Sequence, residues 1–191
     1  MFHSLAVRVI AGALKGRRLI TPRGHLTRPT ADQVRIALMD TLMPYLPDSN
    51  VLDLFAGAGG VGIEALSRGA ARVTFVERDR RAAHALRQNL EALDLLAMAR
   101  VLVMDVERAL PRLFAAGEAF DIVFLDPPYE TALVPETLDW LGPGRLTRPG
   151  SLVVAQHFTK RAPALAPLAA LARIRARRFG ETTLTFFRAG G

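Results

Sequence analysis

From Asn50 to Ala155 the chain alternates short apolar runs with longer amphipathic ones. The apolar runs predict strands at Val51–Phe55, Arg72–Glu77, Arg100–Met104, Asp121–Leu125 and Ser151–Ala155. The strongest of them, ending in Ile122-Val123-Phe124-Leu125, is continuously apolar, the pattern of a strand buried on both faces. Between these runs lie helix candidates at Val61–Ser67, Arg80–Leu93, Val106–Ala115 and Leu133–Leu141. Strands alternating with helices imply βαβ crossovers, and so an α/β fold with a doubly wound, mostly parallel sheet. Beyond the fifth strand, Pro163–Leu171 predicts a last helix. Arg173–Phe179 and Thr182–Phe187, joined at Gly180, then predict an antiparallel pair at the sheet edge, which brings the strand count to seven.

The first 46 residues follow a different pattern. Two short apolar runs flank Gly12 and Gly16 between Arg8 and Thr21, which predicts a hairpin. Pro22, Gly24 and Pro29 mark an irregular connection. Val34, Leu38, Leu42 and Tyr45 then recur at helical spacing, predicting a helix over Ala31–Leu46 with Thr30 as its N-cap. The division expected is a small basic extension over residues 1–46 and a main domain over 47–191.

Charge and composition narrow the picture. The 191 residues carry a net charge of +7 and half of them are hydrophobic. A basic chain of this kind points to a polyanionic partner, and Arg8, Lys15, Arg17, Arg18, Arg28 and Arg35 in the extension are the candidates to grip its phosphates. There is no Cys, so thiolate chemistry and disulfides are excluded. The four histidines are scattered without ligand spacing, so no metal is expected. No apolar run reaches the length of a membrane span and no signal peptide is visible, so a cytoplasmic protein without membrane contact, and a monomer, is expected.

The candidate chemistry lies where the strands end. Asp126-Pro127-Pro128-Tyr129 follows the fourth strand, and neither proline can donate to a sheet ladder. The chain leaves the sheet stiffly and presents Asp126 and Tyr129 at the carboxyl edge, where open α/β sheets bind ligands. A carboxylate, free carbonyls and a flat ring together suit a planar group bearing an amine. After the first strand, Gly57, Gly59 and Gly62 fit G-x-G-x-x-G before a helix. That loop fits either a dinucleotide or S-adenosylmethionine (SAM). Asp53, just before the loop, would repel a diphosphate and suits an ammonium. Glu77 lies about 20 residues after the first glycine, where an acid accepts from ribose hydroxyls of either cofactor. Asp105 could accept from an adenine amine. Phe55, Arg78 and Val106 flank these acids and complete the candidate cofactor set of Asp53, Phe55, Gly57, Gly59, Glu77, Arg78, Asp105, Val106 and Asp126.

Over nearly its whole length the chain resembles the RsmD family, bacterial small-subunit rRNA guanine-N2 methyltransferases within the SAM-dependent methyltransferase superfamily. The resemblance is carried by Arg8-Val9-Ile10-Ala11-Gly12, Gly16-Arg17-Arg18-Leu19, Arg28-Pro29-Thr30, the Asp53–Gly59 loop with Gly62–Ala70, Asp126-Pro127-Pro128-Tyr129 and Gly180-Glu181-Thr182. Two positions depart from that pattern: Ile36 follows Arg35 where Glu is usual, and Gln156-His157 stands where an acid is common. The resemblance implies a Rossmann-like fold, SAM as cofactor, and methyl transfer to the exocyclic N2 of a guanine in 16S rRNA, free or in an assembling small subunit. Asp126, Pro127, Pro128 and Tyr129 would be the catalytic residues. The alternatives are amino methylation of tRNA guanine or of DNA adenine or cytosine, an NAD-dependent oxidoreductase, and a non-catalytic RNA-binding protein.

Overall fold

The computed structural model describes residues 7–22, 29–128, 132–161 and 170–190. Its centre is a seven-stranded sheet: β1 (Asn50–Asp53), β2 (Arg72–Val76), β3 (Ala99–Leu102), β4 (Phe120–Leu125), β5 (Thr147–Phe158), β6 (Leu171–Phe179) and β7 (Thr182–Ala189). The spatial order is β3-β2-β1-β4-β5-β7-β6. β1 to β5 run parallel, and β7 runs antiparallel to both β5 and β6. The helices are α1 (Pro29–Leu42), α2 (Gly60–Ser67), α3 (Arg80–Ala92), α4 (Val106–Ala115) and α5 (Leu133–Leu141).

Consecutive residues of one strand face opposite layers, which is why the strand runs are apolar throughout. Val51, Phe75, Ile122 and Val154 pack with Leu38 of α1, Ile63 of α2 and Leu86 of α3. Their neighbours Leu52, Val76, Val123 and Val153 pack with Leu110 and Leu113 of α4 and Leu138 of α5. Each fully buried Leu or Phe contributes roughly 1.5–3 kcal/mol, and both layers draw on the same strands.

Two expectations change. Helix α1 begins at Pro29, so Thr30 lies inside it rather than capping it; a proline fits the first helical turn because its missing N–H would be unpaired there anyway. Ala170 forms a turn and Leu171 opens β6 instead of closing a helix, and residues 163–169 of the helix expected over Pro163–Leu171 lie outside the described residues. The antiparallel pair of the last two strands stands at the sheet edge as expected, with β7 lying between β5 and β6. Leu184, Phe186 and Phe187 are buried and need cover on both sides, whereas β6 is exposed along most of its length and can stand at the edge.

The N-terminal residues pack into the same core. Leu19 N–H donates to the Val7 carbonyl and Val9 N–H to the Arg17 carbonyl, closing the predicted hairpin. Glu64 of α2, fully buried, accepts from the Ile10 and Ala11 amides at 2.7 and 2.9 Å. Gly12 has φ +82°, and a Cβ there would fall 1.9 Å from the Ser67 carbonyl oxygen, so only glycine lets the hairpin lie this close to α2. Val7, Val9 and Leu19 then join Val34, Leu38 and Leu42 of α1 in the first layer.

Candidate active site

The sheet reverses its winding direction between β1 and β4, and a cavity of about 760 Å³ opens at the carboxyl ends of the strands there. Such a switch point is the general ligand site of open α/β sheets, and the volume suits a nucleoside-sized molecule. The lining includes Asp53, Phe55, Gly57, Glu77, Arg78, Asp105, Val106, Asp126, Pro127 and Pro128. Of the predicted site residues, Gly59 is absent from this wall. Tyr129 and Arg28 lie outside the described residues.

The three glycines do different work. Gly57 has φ +54° and open space where a Cβ would stand, so its backbone faces the cavity. Gly59 has φ +89° and precedes α2, and a Cβ there would strike Leu86 at 2.4 Å. A Cβ on Gly62 would lie 2.2 Å from the Phe75 ring. The second glycine therefore serves close packing of the loop against α3, the third that of α2 on the sheet, and the first leaves room for a ligand.

The acids also divide. Asp53 is buried and accepts from the Gly62 amide at 3.1 Å. Burial pushes its carboxyl up to about 7; the charge of Glu77 adds to the rise, and the amides of Gly62 and Phe55 oppose it. Glu77 accepts from Gly57 N–H at 2.8 Å and from Asp79 N–H at 2.7 Å, so it ties β2 to the glycine loop. Asp126 is half-buried, open to the cavity and walled by protein elsewhere; burial first, then the charge of Asp53, pushes it up to about 7. It has no hydrogen-bond partner among the described residues. Asp105 sits three residues past the end of β3, as the residue preceding α4. It is exposed, 3.8 Å from Arg78, a surface pair that contributes little by itself.

Taken together, the cavity wall holds seven acids (Asp32, Asp53, Glu77, Asp79, Asp105, Glu107 and Asp126) against two arginines, Arg35 and Arg78. A protein of net charge +7 has thus built an acidic pocket. Like charges at close range raise one another's pKa, and a cation entering the pocket relieves that cost. A diphosphate would worsen it. The donor set fits SAM, which carries an ammonium and a sulfonium and no phosphate, and it does not fit a dinucleotide.

The expected phosphate-binding residues separate in the same way. Arg8, Lys15, Arg17 and Arg18 are exposed on the hairpin. Arg35 is buried instead: it donates to the Arg8 carbonyl at 2.8 Å and pairs with Asp32 at 3.0 Å, so it braces the hairpin against α1 beside the cavity and is not free to take a phosphate. Two residues lacked a role in the sequence pattern. Asn89 of α3 accepts from Ile20 N–H and donates to the Ile20 and Ala58 carbonyls, fastening hairpin and glycine loop together. Gln156, at the end of β5, lines the cavity beside Asp126.

This sheet order, with an acidic switch-point cavity and a glycine loop, defines the class of Rossmann-like SAM-dependent methyltransferases. A family model described as Conserved hypothetical protein 95 matches residues 7–188. The chain is 36% identical over 150 residues to the ribosomal RNA small subunit methyltransferase D of Haemophilus influenzae, covering 78% of each chain. Among solved structures it superposes on the Escherichia coli protein yhhF with a TM-score of 0.85 and 29% identity, covering 97% of this chain and 99% of that one. It also shares its fold with SMU.776, solved with S-adenosylhomocysteine, at a TM-score of 0.69 and 16% identity over 85% of this chain and 50% of that one. The chain belongs to the RsmD family of SAM-dependent methyltransferases.

Proposed function

We propose that this protein methylates the exocyclic N2 amine of a guanine in 16S rRNA. The carrying observation is Asp126, without a hydrogen-bond partner among the described residues, in the wall of an acid-lined cavity and followed by two prolines that fix the backbone beside it. Asp53 and Glu77 would hold the cofactor, with Phe55, Gly57, Arg78, Asp105 and Val106 around it and Gly59 shaping the loop. An electrophilic methyl carbon on a sulfonium is what SAM supplies when bound.

The residues of the chain do the rest by positioning and electrostatics. A guanine amine is a poor nucleophile because its lone pair is conjugated with the ring. Asp126 and the Pro127 carbonyl accept its two N–H bonds, which favours a pyramidal nitrogen with its lone pair free. Orientation of this kind can contribute about 7–11 kcal/mol. Once the nitrogen carries the methyl it is strongly acidic, and its proton passes to Asp126 or water. A carboxyl whose pKa lies near 7 is well matched to that transfer. Pro128 fixes the turn, and Tyr129 stacks on the base, which must be unpaired or turned out of its helix.

The exposed hairpin residues Arg8, Lys15, Arg17 and Arg18, with Arg28, contact RNA phosphates in this reading. The partner is 16S rRNA, naked or in an assembling small subunit. The test is methylation of small-subunit RNA with labelled SAM, followed by mass-spectrometric mapping of the modified nucleotide. N2-methylguanine at one site is the expected result. Label in tRNA or DNA alone would overturn the assignment.

A further inference from the structure

The N-terminal extension is not the one basic stretch of the sequence. Residues 147–190 hold eight Lys and Arg against a single acid, Glu181, while the preceding 146 residues balance to zero. Within those 146 residues, residues 1–46 carry seven Lys and Arg against two acids and residues 47–146 carry ten against fifteen, so the chain has two basic stretches, the N-terminal extension and the β5–β7 region, on either side of an acidic middle. Within the β5–β7 region the charge concentrates on β6, which reads Arg173-Ile174-Arg175-Ala176-Arg177-Arg178.

β6 is the outermost strand, with one side paired to β7 and no strand on the other among the described residues. Arg173, Arg175 and Arg178 are exposed and Arg177 is half-buried. Arg177 donates to the Ala37 carbonyl of α1 and lies over the Phe179 ring, and Arg178 donates to the Gly180 carbonyl. No ion pair joins any of these four to an acid among the described residues. On the neighbouring strand, exposed Arg188 donates to the Tyr45 hydroxyl at 3.1 Å and lies 5.7 Å from its ring. Exposed Ile36, Tyr45 and Ile174 add apolar surface near the same edge.

Register ties this edge to the catalytic centre. Leu125 pairs with Ala155, Ala155 with Thr185, and Thr185 with Ala176. The next row pairs Gln156 with Leu184 and Leu184 with Arg177, and continuing β4 by one residue sets Asp126 at its other end. Three strand spacings separate its ends, about 14 Å at ~4.8 Å each. β6 runs parallel to β5, so Arg177 and Arg178 stand at the cavity end of the sheet and Arg173 and Arg175 lead away from it.

We propose that the arginine edge of β6, with Arg188 and Tyr45, is the track that holds the RNA backbone beside the methyl-transfer cavity. The inference rests on the reading above that the substrate is RNA. Guanidinium groups on a strand edge that have no acidic partner among the described residues suit phosphate oxygens, and phosphate contacts set the position of the chain without reading its sequence. The acidic cavity repels phosphate, so the two surfaces together would leave only the base to enter.

The test compares wild type with Arg173→Gln/Arg175→Gln and with Arg173→Lys/Arg175→Lys, all purified as full chains. Binding of a 16S rRNA transcript is measured across a salt series, along with SAM affinity, kcat and the KM for RNA. Losing two phosphate contacts should flatten the salt slope by about 1.4–1.8. The Gln pair should also raise KM several-fold, with kcat and SAM affinity unchanged, and the Lys pair should restore most of the slope. An unchanged slope and KM in the Gln pair would overturn the proposal. So would a loss of monomer by light scattering with unaltered RNA affinity, because the arginines would then only guard the edge against self-association. RNA binding is read without turnover, so a wild type that binds RNA but modifies no guanine would sink the functional reading and leave this surface standing.

Discussion

Two of the cavity's carboxylates are already in use and a third is not. Asp53 and Glu77 both accept backbone amides, from Gly62 on one side and from Gly57 and Asp79 on the other. They shape the glycine loop whether or not a ligand is present. Asp126, just past the end of β4, accepts from nothing among the described residues and is followed by the stiff pair Pro127 and Pro128. The difference separates a wall from a tool. A carboxylate bonded to its own scaffold can give a ligand only the lone pairs left over, whereas one with no partner is unsatisfied until a substrate donor arrives.

Exchanging the roles gives the largest expected effect. Asp126→Ala should lower kcat roughly 10²–10³-fold or more, the scale for losing one electrostatic contact to a reacting group, and should leave SAM affinity within a few-fold of normal. Glu77→Ala should do the reverse in kind: SAM affinity falls while RNA affinity holds. Calorimetric SAM titration beside single-turnover kinetics checks both. If Asp126→Ala turned over normally, or lost SAM binding as severely as Glu77→Ala, the distinction between the two carboxylates would not survive.

The glycines permit a smaller version of the same contrast. Gly62→Ala drives a methyl into the Phe75 ring and the Val73 side chain, and overpacking of this kind costs about 1–3 kcal/mol of stability. Gly57→Ala meets open space, and its cost is the left-handed backbone, about 1–2 kcal/mol. The methyl of Gly57→Ala, however, occupies ligand space. Denaturant unfolding should rank Gly62→Ala as the less stable of the two, and SAM titration should rank Gly57→Ala as the weaker binder. A stable Gly62→Ala protein would mean that α2 can lift from the sheet without loss.

Much of this could be read from the sequence where one local rule decides the outcome. The βα alternation, the strand-end acids and the proline pair each follow from residue type and spacing; Asp53, Glu77 and Asp126 do lie at the carboxyl ends of their strands, and Asp105 lies three residues beyond its own. What could not be read depends on contacts between segments far apart in the chain. Whether Arg35 faces solvent or the Arg8 carbonyl is settled by how the hairpin docks on α2, through Glu64 and Gly12. The placement of β7 inside β6 depends on which strand buries its aromatics. Gly59 fits the loop pattern, yet Leu86 of α3 decides that it packs rather than lines the cavity. The charge asymmetry of β6 was open to counting, but its distance from Asp126 exists only through the register of four strands.

The smallest expected effect tests the carboxylates by pH. Burial lifts both Asp53 and Asp126 from 3.8 to about 7 in the folded protein. Between those values the folded state keeps protons that the unfolded chain has released. The ligand-free protein therefore has this stability in full below about pH 4 and loses it as pH rises through 7. From pH 6 to 8 the loss is on the order of 1 kcal/mol for each group. A bound cation favours the ionised carboxylates, so the rise in melting temperature on adding SAM should be larger at pH 8 than at pH 6. Asp126→Asn should remove part of that pH dependence and leave the part due to Asp53, which keeps its bond from Gly62. If the SAM-induced shift were the same at both pH values, the acidic wall would not be what holds the cofactor. If Asp126→Asn removed all of the dependence, Asp53 would already be ionised in the ligand-free state, with its charge carried by the loop amides.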